Sequence, residues 1–341
     1  MSTKTIVLFN HKGGVSKTTS TYNIAWKLTD LNKKVLLVDG DPQCNLSSLI
    51  IGDNFEEFYE DERTKFNNIK DAVKVAFEGK PKPISSIDCV TPPANSNLFL
   101  IPGHPNLSEY DPSLSLAMNS NNAITTLQNL PGAFEELIKL TCAKYNVDYV
   151  FIDMNPGLSS LNQAFVMSAD GFIIPTNPDP FSIMAIRTLK SILPRWKQWA
   201  KNSSQLFKDA SYPIPEKEIK YIGHLIQRFS LRKGKAARPY QDRISEINKT
   251  IEEELVPELR NHNMLVDDDK LQSNDIHNHC LAEISEFGAL LQKSHEHSIP
   301  VFSLSDAQLS STGPILEQLI ASRERFNNIF LKIANTIISC V

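Results

Sequence analysis

Short apolar runs alternate with stretches of helical periodicity along this chain. Positions 5–9, 34–39, 97–102, 148–153, 171–176, 221–226 and 299–304 are rich in branched residues and apolar at consecutive positions. A strand wet on one face alternates polar and apolar residues, whereas a run apolar throughout fits a parallel strand covered on both sides. Between these runs, apolar residues fall at helical spacing over about 17–31, 134–143, 161–168, 181–201, 238–255 and 314–338. The alternation predicts a doubly wound α/β fold, a mainly parallel sheet flanked by helices. We read 1–341 as a single domain. Polar stretches rich in Asn, Ser and Pro at 51–93 and 103–131 read as insertions on it, with a helical piece near 69–77, and 314–338 reads as a C-terminal helix. The first strand begins almost at once, so no helix-turn-helix module is expected ahead of it.

Composition narrows the partners. The chain has 341 residues, 41% hydrophobic and 22% charged, with a net charge of −4. That balance suits a globular protein with a sizeable core, and any contact with a polyanion has to come from a local patch. The cysteines Cys44, Cys89, Cys142, Cys280 and Cys340 are scattered and form no CxxC pair. Scattered thiols without a secretory leader point to the reducing cytosol. No apolar run reaches the length of a bilayer span.

The chemistry begins at Phe9–Ser20, "FNHKGGVSKTTS". A strand that ends in a glycine-containing loop and then a helix is a phosphate-binding arrangement, because loop N–H groups and the helix N-terminus face the anion. Lys17 then sits where a lysine reaches the β- and γ-phosphates, and Thr18 where a hydroxyl ligates Mg²⁺. The strict form of the loop asks for glycine at 11 and 16, where this chain has His11 and Ser16. Gly13 and Gly14 supply the permissive backbone instead. A second lysine, Lys12, has no role in the ordinary loop.

Two acidic motifs follow. "LLVDGDPQCN" ends a strand with Asp39 and Asp41, and "YVFIDMNPG" ends another with Asp153. One aspartate at a strand end is commonly a turn or a helix cap. Three at the C-terminal ends of neighbouring strands, in this order after a phosphate loop, suit a nucleotide–Mg²⁺ site, which needs carboxylates near the metal's waters and one group near the attacking water.

As a set, these residues resemble the ParA/MinD family of deviant Walker A ATPases. The family pattern xKGGxxK[ST] corresponds to His11-Lys12-Gly13-Gly14-Val15-Ser16-Lys17-Thr18, followed by Thr19. DxDPQ corresponds to Asp39-Gly40-Asp41-Pro42-Gln43, and hhhhDxxPG to the run from Val150 to Gly157. The resemblance covers most of the chain, weakly in the insertions and over 257–297. It implies a P-loop NTPase fold, ATP and Mg²⁺ as cofactors, and slow hydrolysis that a partner accelerates. It also accounts for the second lysine, since Lys12 would reach across an ATP-dependent homodimer to the partner's phosphates. By the same resemblance Lys17 holds the β/γ-phosphates and Thr18 the Mg²⁺, Asp41 orients the attacking water, and Asp39 and Asp153 act through metal-bound water. The loop from Gly13 to Thr19 would cradle the phosphates, with Gln227 and Pro178 near the base.

ParA relatives grip DNA without sequence preference, and MinD relatives grip membrane through a C-terminal amphipathic helix. For DNA, 181–201 carries Arg187, Lys190, Arg195, Lys197 and Lys201 with no acidic residue. Further on, 228–243 carries Arg228, Arg232, Lys233, Lys235, Arg238 and Arg243 against Asp242 alone. Such segments suit phosphate contacts, and Trp196 and Trp199 read as core. For membrane, Phe326, Ile329, Phe330, Ile333 and Ile337 make an apolar stripe, but Lys332 is the one cation from Phe326 on. A surface anchor has a basic polar face, so a helix docked on the core is the better reading and membrane is disfavoured. The His-x-His pairs at 277–279 and 295–297 lack the tight spacing of a zinc module. The sequence thus points to a cytoplasmic ParA-type ATPase, nucleoid-associated when ATP-bound, that segregates or positions a plasmid, chromosome or other cargo with a ParB-like adaptor. A MinD-like membrane cycle and a regulatory or defence switch are the alternatives.

Overall fold

A computed structural model describes residues 2–119, 127–232 and 235–341, with the side chains of Arg232 and Lys235 outside the description. The strands are β1 (Lys4–Leu8), β2 (Val35–Gly40), β3 (Leu98–Ile101), β4 (Tyr149–Met154), β5 (Gly171–Thr176), β6 (Lys220–Phe229), β7 (Leu231–Arg232), β8 (Lys235–Ala236) and β9 (Cys280–Ser285). Seven of them form the main sheet in the order β3-β2-β4-β1-β5-β6-β9, and every neighbouring pair is parallel. The other two, β7 and β8, make a small antiparallel pair directly after β6. Strand order reverses on either side of β1. Its loop therefore opens into the crevice at the carboxyl ends of the strands, where open α/β sheets bind ligands.

Both faces of the sheet are dry, which is why its strands read as unbroken apolar runs. Val7, Val38, Ile152 and Ile174 pack into one layer, and Ile6, Leu8, Leu37 and Phe151 into the other. The alternation of side chains along each strand splits each run between the two layers. Helix α1 (Lys17–Asp30) covers the second face together with the long terminal helix Gly313–Cys340. The helix Pro180–Leu206 covers the first face, and Trp196 packs there on Phe9 with ring centroids 5.4 Å apart. The polar stretches carry their own helices, Phe55–Glu60, Ile69–Phe77 and Asp111–Asn119.

Two expectations change. The run at 299–304 is a turn: Ser303 N–H donates to the Pro300 carbonyl, and Val301, Phe302 and Leu304 are buried without joining a ladder. Proline removes a ladder donor, and the apolar composition serves core packing alone. The seventh strand is Cys280–Ser285, at the sheet edge, where "CLAEIS" alternates too much to read as a buried strand. The predicted helix over 238–255 becomes an α-helix, Arg238–Thr250, running into one π-type turn, Ile251–Leu255.

The terminal helix is docked. Phe326, Phe330, Ile333 and Ile337 are at most 1% exposed, and Lys27 of α1 donates to Asn327 Oδ1 at 2.7 Å. Among the described residues no helix is long and apolar enough to cross a membrane. Phe330 touches Phe287 and Phe302. Phe330→Ala is therefore expected to lower unfolding free energy by about 3–5 kcal/mol in urea titration; a loss under about 1 kcal/mol would mean that the helix does not dock as described.

Candidate functional site

The loop between β1 and α1 is set by backbone torsions. Gly14 has φ 71° and Ser16 φ 55°, both left-handed. For a residue with a Cβ such a torsion costs about 1–2 kcal/mol, so Ser16 is strained where glycine is common. Ser16 is also the N-cap of α1 and makes no side-chain cap bond. Among the described residues the N–H groups of Gly13, Gly14, Val15 and Ser16 have no protein acceptor. Unpaired amides at a helix start with two left-handed residues form a concavity of donors, which fits a phosphate chain.

Lys17 is buried, and its Nζ donates to the carbonyls of Asn10 (3.0 Å) and Lys12 (3.1 Å). Burial lowers its pKa, while Asp153 and Asp41 oppose that shift. His11 is also lowered, first by burial and then by Lys17. Lys12 stands on the outer side of the loop. Its Nζ pairs with Asp179, the N-cap of the helix Pro180–Leu206, and donates to Ser182 Oγ at 3.2 Å.

The three aspartates differ in what they do. Asp39 and Asp153 are register partners on β2 and β4 and both are fully buried. Asp39, expected to act through metal-bound water, is hydrogen-bonded within the protein. Its Oδ2 accepts from Ser47 N (2.8 Å) and Oγ (2.7 Å), and its Oδ1 from Asp41 N (3.2 Å). Ser47 Oγ in turn accepts from Gly103 N at 2.8 Å. Asp39 thus ties β2, the helix Asn45–Ile51 and the loop after β3 together, and its lone pairs are largely spent. Burial pushes its pKa up to about 6 against those bonds. Asp153 is the opposite case: among the described residues neither carboxylate oxygen has a hydrogen-bond partner. Burial pushes it up to about 8, Asp39 adds to the shift, and the Thr18 hydroxyl opposes it. A buried carboxylate without partners, next to the Thr18 hydroxyl, fits a hydrated divalent cation. Asp41 lies at the cavity wall, its Oδ1 accepting from Gln43 N at 2.9 Å.

A cavity of about 1340 Å³ opens over this loop. The whole stretch from Gly13 through Val15, Ser16, Lys17 and Thr18 to Thr19 lines it, with Asp41, Gln227 and Arg228; Lys12, Asp39, Asp153 and Pro178 do not. Pro178 is buried beside the loop instead of facing the cavity. Gln227 faces the loop: its Oε1 accepts from Ser20 Oγ (2.7 Å) and its Nε2 donates to the Val15 carbonyl (3.2 Å). The far wall comes from Ser285, Glu286, Phe287 and Gly288, at the end of β9 and just after it. Sequence reasoning missed that wall because it missed the strand that delivers it.

The expected cationic surface is only partly free. Arg187 makes a two-pronged bond to Glu254, with Nη2 at 2.9 Å and Nε at 3.1 Å from Oε1. Arg228, expected on a polyanion, is exposed and donates from Nη1 to the Gly14 carbonyl at 2.9 Å. The reason is its backbone, which turns left-handed at the end of β6 and re-aims the side chain. Arg195 and Arg238 are exposed and Lys190 is partly so. Lys233 lies outside the described residues, as do the side chains of Arg232 and Lys235.

Comparisons with known proteins identify the family. Residues 3–206 match the family model AAA_31, an AAA domain. The chain is similar to the maintenance of carboxysome distribution protein A of Gloeothece citriformis, 31% identical over 193 residues, 55% of this chain and 63% of that protein. It is similar to the sporulation initiation inhibitor protein Soj of Bacillus subtilis, 28% identical over 190 residues, 54% of this chain and 63% of that protein. The chain spans about half to three-fifths of the length of the curated relatives it matches. A solved structure of pNOB8 ParA bound to nonspecific DNA shares the fold with a TM-score of 0.56 at 21% identity, covering 99% of this chain and 98% of that one.

The raised pKa of Asp153 makes a prediction without nucleotide. A carboxyl whose folded pKa lies above its unfolded value adds stability below the unfolded pKa, near 3.8, and loses it as pH rises through about 8. Asp153→Asn should raise the melting temperature of the protein more at pH 8 than at pH 5. An equal gain at both pH values in thermal melts would refute the raised pKa.

Proposed function

The chain belongs to the AAA_31 family and to the ParA/MinD type of P-loop ATPases, and from that premise we propose that it is a partition or positioning ATPase that hydrolyses ATP with Mg²⁺. The observation that carries the reading is the pair of lysines on one loop, Lys17 inside it and Lys12 outside it. Amides of the loop and Lys17 bind the phosphates. Thr18 and Asp153 hold the metal and its waters, and Asp41 orients the attacking water. Asp39 acts indirectly, by holding Asp41 and the helix Asn45–Ile51 in place. When bound, Mg²⁺ neutralises charge on the β- and γ-phosphate oxygens. Gln227 positions the loop, and the wall after β9 takes the base in place of Pro178.

Lys12 serves a second copy of this chain. A cation delivered across an interface stabilises the γ-phosphate only while two subunits face each other, so ATP favours a homodimer and hydrolysis releases it. In the single chain Asp179 holds Lys12, and action in trans requires that ion pair to open. The ATP-bound dimer grips duplex DNA without sequence preference through Lys190, Arg195 and Arg238, joined by Arg232, Lys233 and Lys235. Arg187 contributes only if its bond to Glu254 yields. The whole chain acts as one ATPase unit, cytoplasmic and nucleoid-associated with ATP, and a ParB-like adaptor on the cargo stimulates hydrolysis. The docked terminal helix argues against the membrane-cycling alternative.

Asp41→Ala should trap an ATP-bound dimer that binds random duplex DNA, with affinity falling steeply between about 50 and 200 mM salt. ADP should support no such binding. A trapped dimer without DNA affinity would shift the reading to a regulatory switch, and one that binds anionic vesicles would favour the membrane cycle. Lys12→Ala should retain ATP binding and lose dimerisation, read by light scattering. Normal turnover in that variant would remove the role in trans.

A further inference from the structure

We propose that Arg228 is a positioning residue that sets the phosphate loop and ties its occupancy to the basic strand pair β7–β8; this rests on the nucleotide-dependent reading above. Two consecutive residues at the end of β6 hold two consecutive loop carbonyls. Arg228 Nη1 donates to Gly14 O at 2.9 Å, and Gln227 Nε2 donates to Val15 O at 3.2 Å. Asn177 Nδ2 adds a second donor to Gly14 O at 3.0 Å. In a planar trans peptide the following N–H points opposite to the carbonyl. Fixing these two carbonyls therefore fixes the directions of the Val15 and Ser16 amides, which have no acceptor among the described residues. The loop's donors are held in place before any anion arrives, and that lowers the ordering cost of binding one.

The backbone at Arg228 gives this contact a second consequence. Its φ is 59°, and the β6–β9 register shifts between Gln227 and Phe229. Arg228 is thus the residue of a bulge, which bends a strand and re-aims a side chain. One residue later the Phe229 ring lies 6.4 Å from Tyr240, in the first turn of the helix Arg238–Thr250, and Ala237 N donates to Ser230 O at 3.4 Å. The strand pair Leu231–Arg232 and Lys235–Ala236 is enclosed between these contacts. An arginine anchored to the loop at one end and bulged in the backbone at the other sets where this strand pair begins. Phosphates that stiffen the loop strengthen the anchor, and by reciprocity a fixed strand pair favours the occupied loop. The coupling runs inside one chain and needs no dimer.

The test uses the full chain with Mg²⁺ and a fluorescent ATP analogue, together with amide hydrogen exchange over 229–232 and 236–242. In the wild type, saturating nucleotide should slow exchange there several-fold. Arg228→Ala should weaken nucleotide binding about tenfold or more, since a charge-assisted bond is lost, and at saturation its exchange should no longer respond. Arg228→Lys, which keeps a cation and a donor, should recover part of both effects. Arg228→Gly relieves the left-handed torsion but lacks the guanidinium, so it should behave like the alanine variant. A glycine variant that behaves like wild type would overturn the role of the side chain. Nucleotide binding without any exchange response in the wild type would sink the coupling and leave the ATPase reading standing. No nucleotide binding in the wild type would sink both.

Discussion

The parallel register of β2 and β4 places two carboxylates side by side in a dry interior, and the rest of the site is organised around that fact. Two like charges without water are costly, and both acids respond by moving towards the neutral range. The fold resolves the conflict by treating them differently. Asp39 is surrounded by donors from Ser47 and Asp41, and spends its charge on holding three segments together. Asp153 is left bare. A bare buried acid destabilises a chain on its own, and it makes sense as part of a site completed by a cation. The buried ammonium of Lys17 adds a second unfavourable burial nearby, partly offset by Asp153 and Asp41. Stability and binding therefore pull in opposite directions at the carboxyl end of the sheet.

Most of the architecture is legible in the sequence because its strands are covered on both faces. Six of the seven sheet strands read as unbroken apolar runs, and the glycine loop falls where β1 ends. Legibility fails at the edge. Cys280–Ser285 has one neighbour and carries Glu283 within it, so it lacks the signature of its fellows, while 299–304 has the composition of a strand and only fills the core. The cavity wall after β9 is lost with that strand. Charge misleads in a related way. Arg228 counts towards a basic cluster because a sequence shows that a cation is present but not that its guanidinium bonds the Gly14 carbonyl. Asp39 shows the same limit, since its spacing from Asp41 gives no sign of the Ser47 hydroxyl that occupies it.

The end of β6 connects the two halves of the functional reading. Its side chains reach the loop at Val15 and helix α1 at Ser20, and its backbone continues into the basic strand pair and the helix Arg238–Thr250. The side chains that meet the phosphate loop and the basic strand pair thus follow one another along the chain, across β1 from the strands that carry the two aspartates.

Ser16 separates two things that glycine in a motif normally expresses together. The loop requires a torsion, and here a serine adopts it at φ 55° for a modest energetic cost. The admissible alphabet at that position is set by a free-energy tolerance, not by the absence of a side chain. An inventory of nucleotide-binding chains compiled from letters alone will leave out members whose backbone still makes the turn, and the omission will fall most heavily on those with stability to spare.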